Sequence, residues 1–170
     1  MQEVGRIFLM LGSGVRSNMG LLYGGSGAAR LRPVTDETSS QPPPGALGHL
    51  RVADFSRVLA GPMATMVLAD LGADVVKVEN PKMGDPGRRL RPGQPDDDPY
   101  YFHVFNANKK SIAVNLKSDS GLALVKDMIA KADVMVENFA PGAIERLGLS
   151  YDVVREINPG IVGMINKLGG

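Results

Sequence analysis

Cations and amides gather wherever the sequence predicts that a strand gives way to a loop. Lys77 and Glu79 flank the end of one such strand before Asn80-Pro81 turns the chain. Asn108-Lys109-Lys110 precede the next strand, and Asn115 and Lys117 follow it. Glu137-Asn138-Phe139-Ala140-Pro141-Gly142 closes a further strand and opens a helix through its proline. Lysines and asparagines at strand ends suit a phosphorylated ligand, because ammonium groups meet phosphate oxygens and amides supply directed hydrogen bonds. Each of these side chains taken singly is more often solvated; the collection carries the inference. The turn Val58-Leu59-Ala60-Gly61-Pro62 adds small residues that let a ligand approach the backbone, although a tight turn alone explains Gly61 equally well.

Other chemistries find little footing. G-x-G-x-x-G, the P-loop pattern and the nucleophile elbow G-x-S-x-G are all missing from the sequence. There is no cysteine, which removes a disulfide framework, a thiolate nucleophile and sulfur-ligated zinc. His49 and His103 are too few for a metal cluster, and His103, among Tyr100, Tyr101, Phe102 and Phe105, reads as a packing residue. The net charge of +1 gives no nucleic-acid footprint, and no apolar run reaches the length of a membrane span. With 44% hydrophobic and 22% charged residues the 170-residue chain has ordinary globular composition, so it can build a core.

The elements that must hold these residues alternate. Strands are expected at 50–55 (LRVADF), 73–78 (ADVVKV), 111–116 (SIAVNL), 132–136 (ADVMV) and 161–165. Between them lie helices at 63–71, ending at Gly72, and at 120–131, with Ser118 or Asp119 as N-cap. Short helices are expected at 141–147 and 151–157. Strand–helix alternation with nearly continuous apolar strands predicts an α/β fold: a Rossmann-like parallel sheet with helices on both faces. Residues 82–101, with their prolines, Arg88, Arg89, Arg91 and Asp96-Asp97-Asp98, form a long loop, either functional or simply solvated. Residues 1–46 read as a disordered Arg/Gly/Pro-rich leader and linker, with a transit peptide as one option. The domain proper is expected over 47–170, where from residue 50 onward acids and bases balance.

Read in order, these segments carry more than periodicity. L-x-V-x-D-x-S-x-V-L-A-G-P at 50–62, D-L-G-A-D-V-V-K-V-E-x-P at 70–81 and Gly84-Asp85 are followed by N-x-N-K-K-S-I-A-V-N-L-K at 106–117. A-D-V-x-V-E-N-F-x-P-G at 132–142, R-L-G-L at 146–149 and Ile157-Asn158-Pro159 complete the series. Over about residues 47–165 the chain resembles the family III coenzyme A transferases, a group that includes formyl-CoA, succinyl-CoA:glutarate and carnitine CoA-transferases and the methylacyl-CoA racemases.

The resemblance implies a coenzyme A (CoA) site lined by Leu59, Ala60, Asn80, Val114, Asn115, Leu116, Lys117, Asn138, Phe139, Ala140 and Arg146. At position 80 the family often has a basic residue, and here it is asparagine. No permanent cofactor is implied; CoA or acyl-CoA enters as substrate, with a carboxylic acid as the other partner. An interlocked homodimer is implied for full-length members. The expected compartment is the cytoplasm, or the mitochondrial matrix in a eukaryote, given the Arg-rich, acid-poor leader. The family's nucleophilic aspartate follows a glycine-rich segment beyond the I-N-P strand, and Asp152, which precedes that strand, reads as a helix N-terminal residue rather than a substitute. The expectation is therefore an incomplete N-terminal portion of a CoA-transferase, with no catalytic residue of its own and inactive alone. The alternatives are a non-catalytic CoA-binding or interaction module, or part of a racemase of the same family.

Overall fold

A computed structural model describes residues 7–8, 45–90 and 99–165. In chain order the elements are β1 (Ile7–Phe8), β2 (Arg51–Asp54), α1 (Ala60–Asp70), β3 (Asp74–Glu79), a 3-10 turn (Pro86–Arg89), α2 (Tyr100–Asn106), β4 (Lys110–Ala113), α3 (Asp119–Ile129), β5 (Val134–Glu137), α4 (Ala143–Arg146), α5 (Tyr151–Ile157) and β6 (Val162–Ile165).

One sheet takes the order β1-β4-β3-β2-β5-β6. The five strands from β4 to β6 are parallel, and β1 joins β4 antiparallel at the edge. The chain winds outward from β2 through β3 to β4, then returns to the other side of β2 for β5 and β6. That reversal places a crevice between the carboxyl ends of β2 and β5, the position where open α/β sheets bind ligands.

Both faces of the sheet are covered, and the strands show it. Val52, Val134, Val136 and Val75 pack with Ala69 of α1 on one face, while Ala53, Met135 and Val78 pack with Val125 and Ile129 of α3 and Val154 of α5 on the other. Strand side chains alternate between faces, so a parallel strand buried on both sides needs apolar residues at nearly every position. α1 lies close to the sheet because its inward row is small: Gly61, Thr65 and Ala69 recur every fourth residue and are buried. A Cβ at Gly61 would come 2.2 Å from the Ser56 Cβ. Gly72 ends α1 at φ +103, a left-handed cap that favours glycine. α3 is capped by Ser118, whose Oγ accepts from Gly121 N–H at 3.2 Å.

The strand–helix order matches the sequence reading, with differences at α1, β4 and α2 and an added edge strand, β1. α1 starts at Ala60 rather than Met63, placing Pro62 third in the helix; the first-turn N–H groups have no intrahelical partner, so proline is tolerated there. β4 ends at Ala113; Val114 N–H still bonds the Glu79 carbonyl at 2.9 Å, and Asn115 to Ser118 form the turn into α3. The aromatic run at Tyr100–Asn106 is a helix, α2, with Phe102 buried; His103 is exposed on it and is not the packing residue expected. Of the expected leader and linker, Ile7–Phe8 forms the edge strand β1, and the Gly45 carbonyl accepts from Gly48 N–H at 2.8 Å in the turn that leads to β2. Residues 1–6 and 9–44 of the leader, and Arg91 and Asp96 to Asp98, lie outside the described residues.

Candidate functional site at the switch of the sheet

The carboxyl ends of β2 to β5 surround a cavity of about 180 Å³. Its apolar walls are Phe55, Val78, Val114, Leu116, Phe139 and Leu147, Lys77, Glu79 and Asp85 contribute polar surface, and Arg57, Asn80, Gly84, Asn115 and Lys117 complete the lining. Loops deliver these groups because each parallel strand ends at the same side of the sheet.

The loop after β2 is tied to the loop after β5 across the switch. Arg57 N–H donates to Asn138 Oδ1 at 2.8 Å, and Asn138 Nδ2 donates back to the Arg57 carbonyl at 2.7 Å. The Arg57 guanidinium stacks 4.4 Å from the centre of the Phe139 ring. A planar cation on a ring gives the cavity a flat, cation-edged wall.

Beside the cavity runs a buried charged layer. Asp54, Lys77, Glu79, Asp85 and Lys109 are all under 9% exposed. Lys77 Nζ donates to the Ser56 carbonyl at 2.8 Å and pairs with Asp85 Oδ2 at 2.7 Å. Glu79 accepts a two-pronged bond from Arg88, at 2.7 and 2.8 Å, and another from Ser111 Oγ at 2.6 Å. Burial pushes its carboxyl up, but these bonds and the guanidinium charge outweigh that and lower it to about 2. Arg88 in turn lies 3.8 Å over the Phe102 ring. Asp54 accepts from Thr65 Oγ1 at 2.7 Å, from Lys109 Nζ at 3.1 Å and from Ser56 Oγ. Burial lowers the Lys109 amine to about 8, the opposing pull of Asp54 notwithstanding.

The strand-end cations therefore divide. Lys109 is enclosed against Asp54, Asn106 and the Pro62 carbonyl, and Lys110 pairs with Asp74 at 2.7 Å. Neither is among the residues lining the cavity, which corrects the expectation that all of them gather there. Lys117 is exposed and lines it with no carboxylate partner among the described residues.

The side-chain oxygens at the strand ends mostly shape their own turns. Asn80 Oδ1 accepts from the N–H groups of Lys82 and Met83, Asn115 Oδ1 from Lys117 N–H, and Glu137 Oε2 from Phe139 N–H. Of the eleven residues implied as the CoA site, Asn80, Val114, Asn115, Leu116, Lys117 and Phe139 share the cavity. Asn138 clamps the neighbouring loop, and Leu59 and Ala60 open α1 just beyond it. Ala140 and Arg146 are exposed outside the lining, although Leu147, next to Arg146, belongs to it.

Sequence reasoning passed over Arg57 and the Lys77–Asp85 pair. A signal existed: in the strand Asp74–Glu79 the polar Lys77 and Glu79 fall two apart, on one face, and Asp54 stands beside Lys77 in register. Among the described residues no group of His, Asp and Glu could hold a metal ion. No helix among them is long and apolar enough to cross a membrane.

Comparison with known proteins agrees with this architecture. The profile of CoA-transferase family III matches residues 47–165. A succinyl-CoA:glutarate CoA-transferase of Mus musculus is 45% identical over 141 residues, covering 83% of this chain and 31% of that protein. A formyl-CoA:oxalate CoA-transferase of Streptomyces coelicolor is 50% identical over 117 residues, covering 69% of this chain and 28% of that protein. Among solved structures, a CAIB/BAIF family protein from Brucella suis superposes with a TM-score of 0.68 at 37% identity, over 72% of this chain and 33% of its own. The chain thus spans about three-tenths of the length of the curated relatives it matches.

Proposed function

Because the chain belongs to CoA-transferase family III, we propose that its switch-point cavity receives the nucleotide end of CoA, within a protein that transfers CoA between an acyl-CoA and a carboxylic acid. The observation that carries this reading is the convergence of Asn80, Val114, Asn115, Leu116, Lys117 and Phe139, drawn from three separate strand ends, on one cavity. The cavity's size supports a partial ligand. Pockets for whole drug-sized molecules run to roughly 300–1,000 Å³, so about 180 Å³ suits one end of a long molecule.

The parts assign themselves by chemistry. The apolar walls and the Arg57–Phe139 stack accept a planar ring. Lys117, Arg146 and the N–H groups of the first turn of α1, which has no side-chain cap, face phosphate. Both relatives named above are transferases, which favours transfer over racemisation. We assign no catalytic residue among the described ones: the carboxylates that line the cavity are each engaged in an ion pair, Asp85 with Lys77 and Glu79 with Arg88. In the whole protein we place the acyl chemistry outside residues 47–165, in an interlocked homodimer.

Titration calorimetry of the purified chain with CoA and with dephospho-CoA tests the reading. Saturable binding of CoA, weaker for dephospho-CoA, is expected. Absence of binding to both by a folded chain contradicts it.

A further inference from the structure

Val58 has φ +70. A β-branched side chain in the left-handed region is a true outlier, because its Cβ crowds the backbone. Such conformations persist where the surroundings over-determine them, and they cluster at functional sites.

The surroundings here do so. From Phe55 to Val58 each backbone N–H has an acceptor: the Val136 carbonyl, Asp54 Oδ1, Asn138 Oδ1 and Asp85 Oδ1 in turn. The last is the one that bears on Val58, at 3.1 Å. Asp85 is itself fixed: Oδ1 also accepts from Gly87 N–H at 2.7 Å, its own N–H donates to Glu79 Oε2, and Oδ2 faces only the Lys77 ammonium. Lys77 closes the loop by donating to the Ser56 carbonyl in the same turn. Lys77 and Asp85 are each about 1% exposed. A buried ion pair is weak evidence for stability, since desolvation offsets most of its attraction. A pair that grips one turn at two peptide groups, either side of Arg57, has another use.

We propose that Lys77 and Asp85 are positioning residues that hold Val58 left-handed and so aim the peptide groups of Leu59 and Ala60, at the open start of α1, toward the ligand. The proposal rests on the CoA reading of the cavity. Freed of this grip, Val58 relaxes to a negative φ, which re-aims everything that follows it.

The test uses glycine, which adopts positive φ without cost. The 170-residue chain is compared with Lys77→Met/Asp85→Ala, which removes both charges together, in Val58 and Val58→Gly backgrounds, by CoA calorimetry and by amide hydrogen exchange of the free protein. With Val58 present, the paired substitution is expected to weaken CoA binding about tenfold or more. In the Val58→Gly background, the same substitution is expected to cost no more than about threefold, a non-additivity that marks coupled sites. In the free protein the residue 58 amide loses exchange protection while Phe55, bonded to Val136, keeps it. An equal loss of affinity in both backgrounds overturns the proposal, because direct contact or general destabilisation does not depend on residue 58. Undiminished protection at residue 58 without Asp85 also overturns it. If the unmodified chain binds no CoA, the CoA reading fails and the exchange comparison alone decides the positioning. If removing both charges unfolds the chain, Lys77→Met/Asp85→Leu, which keeps the bulk of both side chains and leaves no acceptor for the residue 58 amide, is carried through the same comparison.

Discussion

Burial raises the energy of an ionised carboxylate, yet Glu79, 7% exposed, is lowered from 4.5 to about 2 because Arg88 and Ser111 bond its charged form. A carboxyl depressed on folding adds stability that is present above the unfolded value and lost as pH falls. The window here runs from 4.5 down to about 2, and the difference is on the order of 3 kcal/mol. Chemical unfolding measured between pH 6 and 2.5 should show stability falling through that window, and Glu79→Gln should flatten the slope. An identical slope in the variant would show that other carboxylates dominate. At the same scale, Lys117→Ala should lower CoA affinity, since charge-assisted contacts to phosphate contribute roughly 1.5–3 kcal/mol, less where solvated. Arg146 is exposed and outside the cavity lining, so Arg146→Ala measures whether it reaches a bound phosphate. We expect about a tenfold loss that shrinks as salt rises. Affinity equal to that of the unmodified chain would remove Arg146 from the site. What single residues do was only partly legible in the sequence. A lysine in a strand end reads the same whether it meets ligand, as Lys117 is placed to, or is enclosed, as Lys109 is; burial separates them, and burial is set by α1 and α2 packing over the sheet.

Among the elements, α1 and the strands around it set the site's geometry. Gly61→Ala should push α1 away from the Ser56 turn, because the added Cβ has only 2.2 Å to the Ser56 Cβ. Overpacking of that kind costs roughly 1–3 kcal/mol, so a drop in unfolding midpoint is expected, and an unchanged midpoint would show that the helix yields freely. On the opposite face Ile129→Ala, in a fully buried position of α3, should cost about 2–5 kcal/mol, while Leu124→Ala, 51% exposed on the same helix, should change little. The alternation of strands and helices was readable because β-branched runs and end signals such as Gly72 and Ser118 act locally. α2 was not, since Tyr100–Asn106 is rich in aromatics of middling helix propensity and is held by tertiary contacts, Phe102 under Arg88 among them. The early end of β4 escaped for a related reason: Val114-Asn115-Leu116 alternates apolar and polar residues as a half-buried strand does, but Asn115 Oδ1 accepts from Lys117 N–H and turns the chain beside the cavity.

For the molecule as a whole, the parallel order of β4, β3, β2, β5 and β6 explains why residues far apart in sequence share one cavity. Topology of this kind follows from right-handed crossovers and is implied by strand–helix alternation, but the switch between β2 and β5 becomes visible only with the pairings. The family motifs are spaced along the chain as the elements are, so the resemblance and the periodicity point to the same fold by separate routes. All of this bears on one proposed role, that the cavity holds the nucleotide end of CoA. Backbone amide NMR of the isotopically labelled chain, titrated with CoA, tests it most directly. Saturable shifts are expected at Asn80, Val114 to Lys117 and Phe139, extending to Leu59 and Ala60, with α5 and β6 unaffected. Shifts absent from that set, or concentrated instead around α5 and β6, would contradict it.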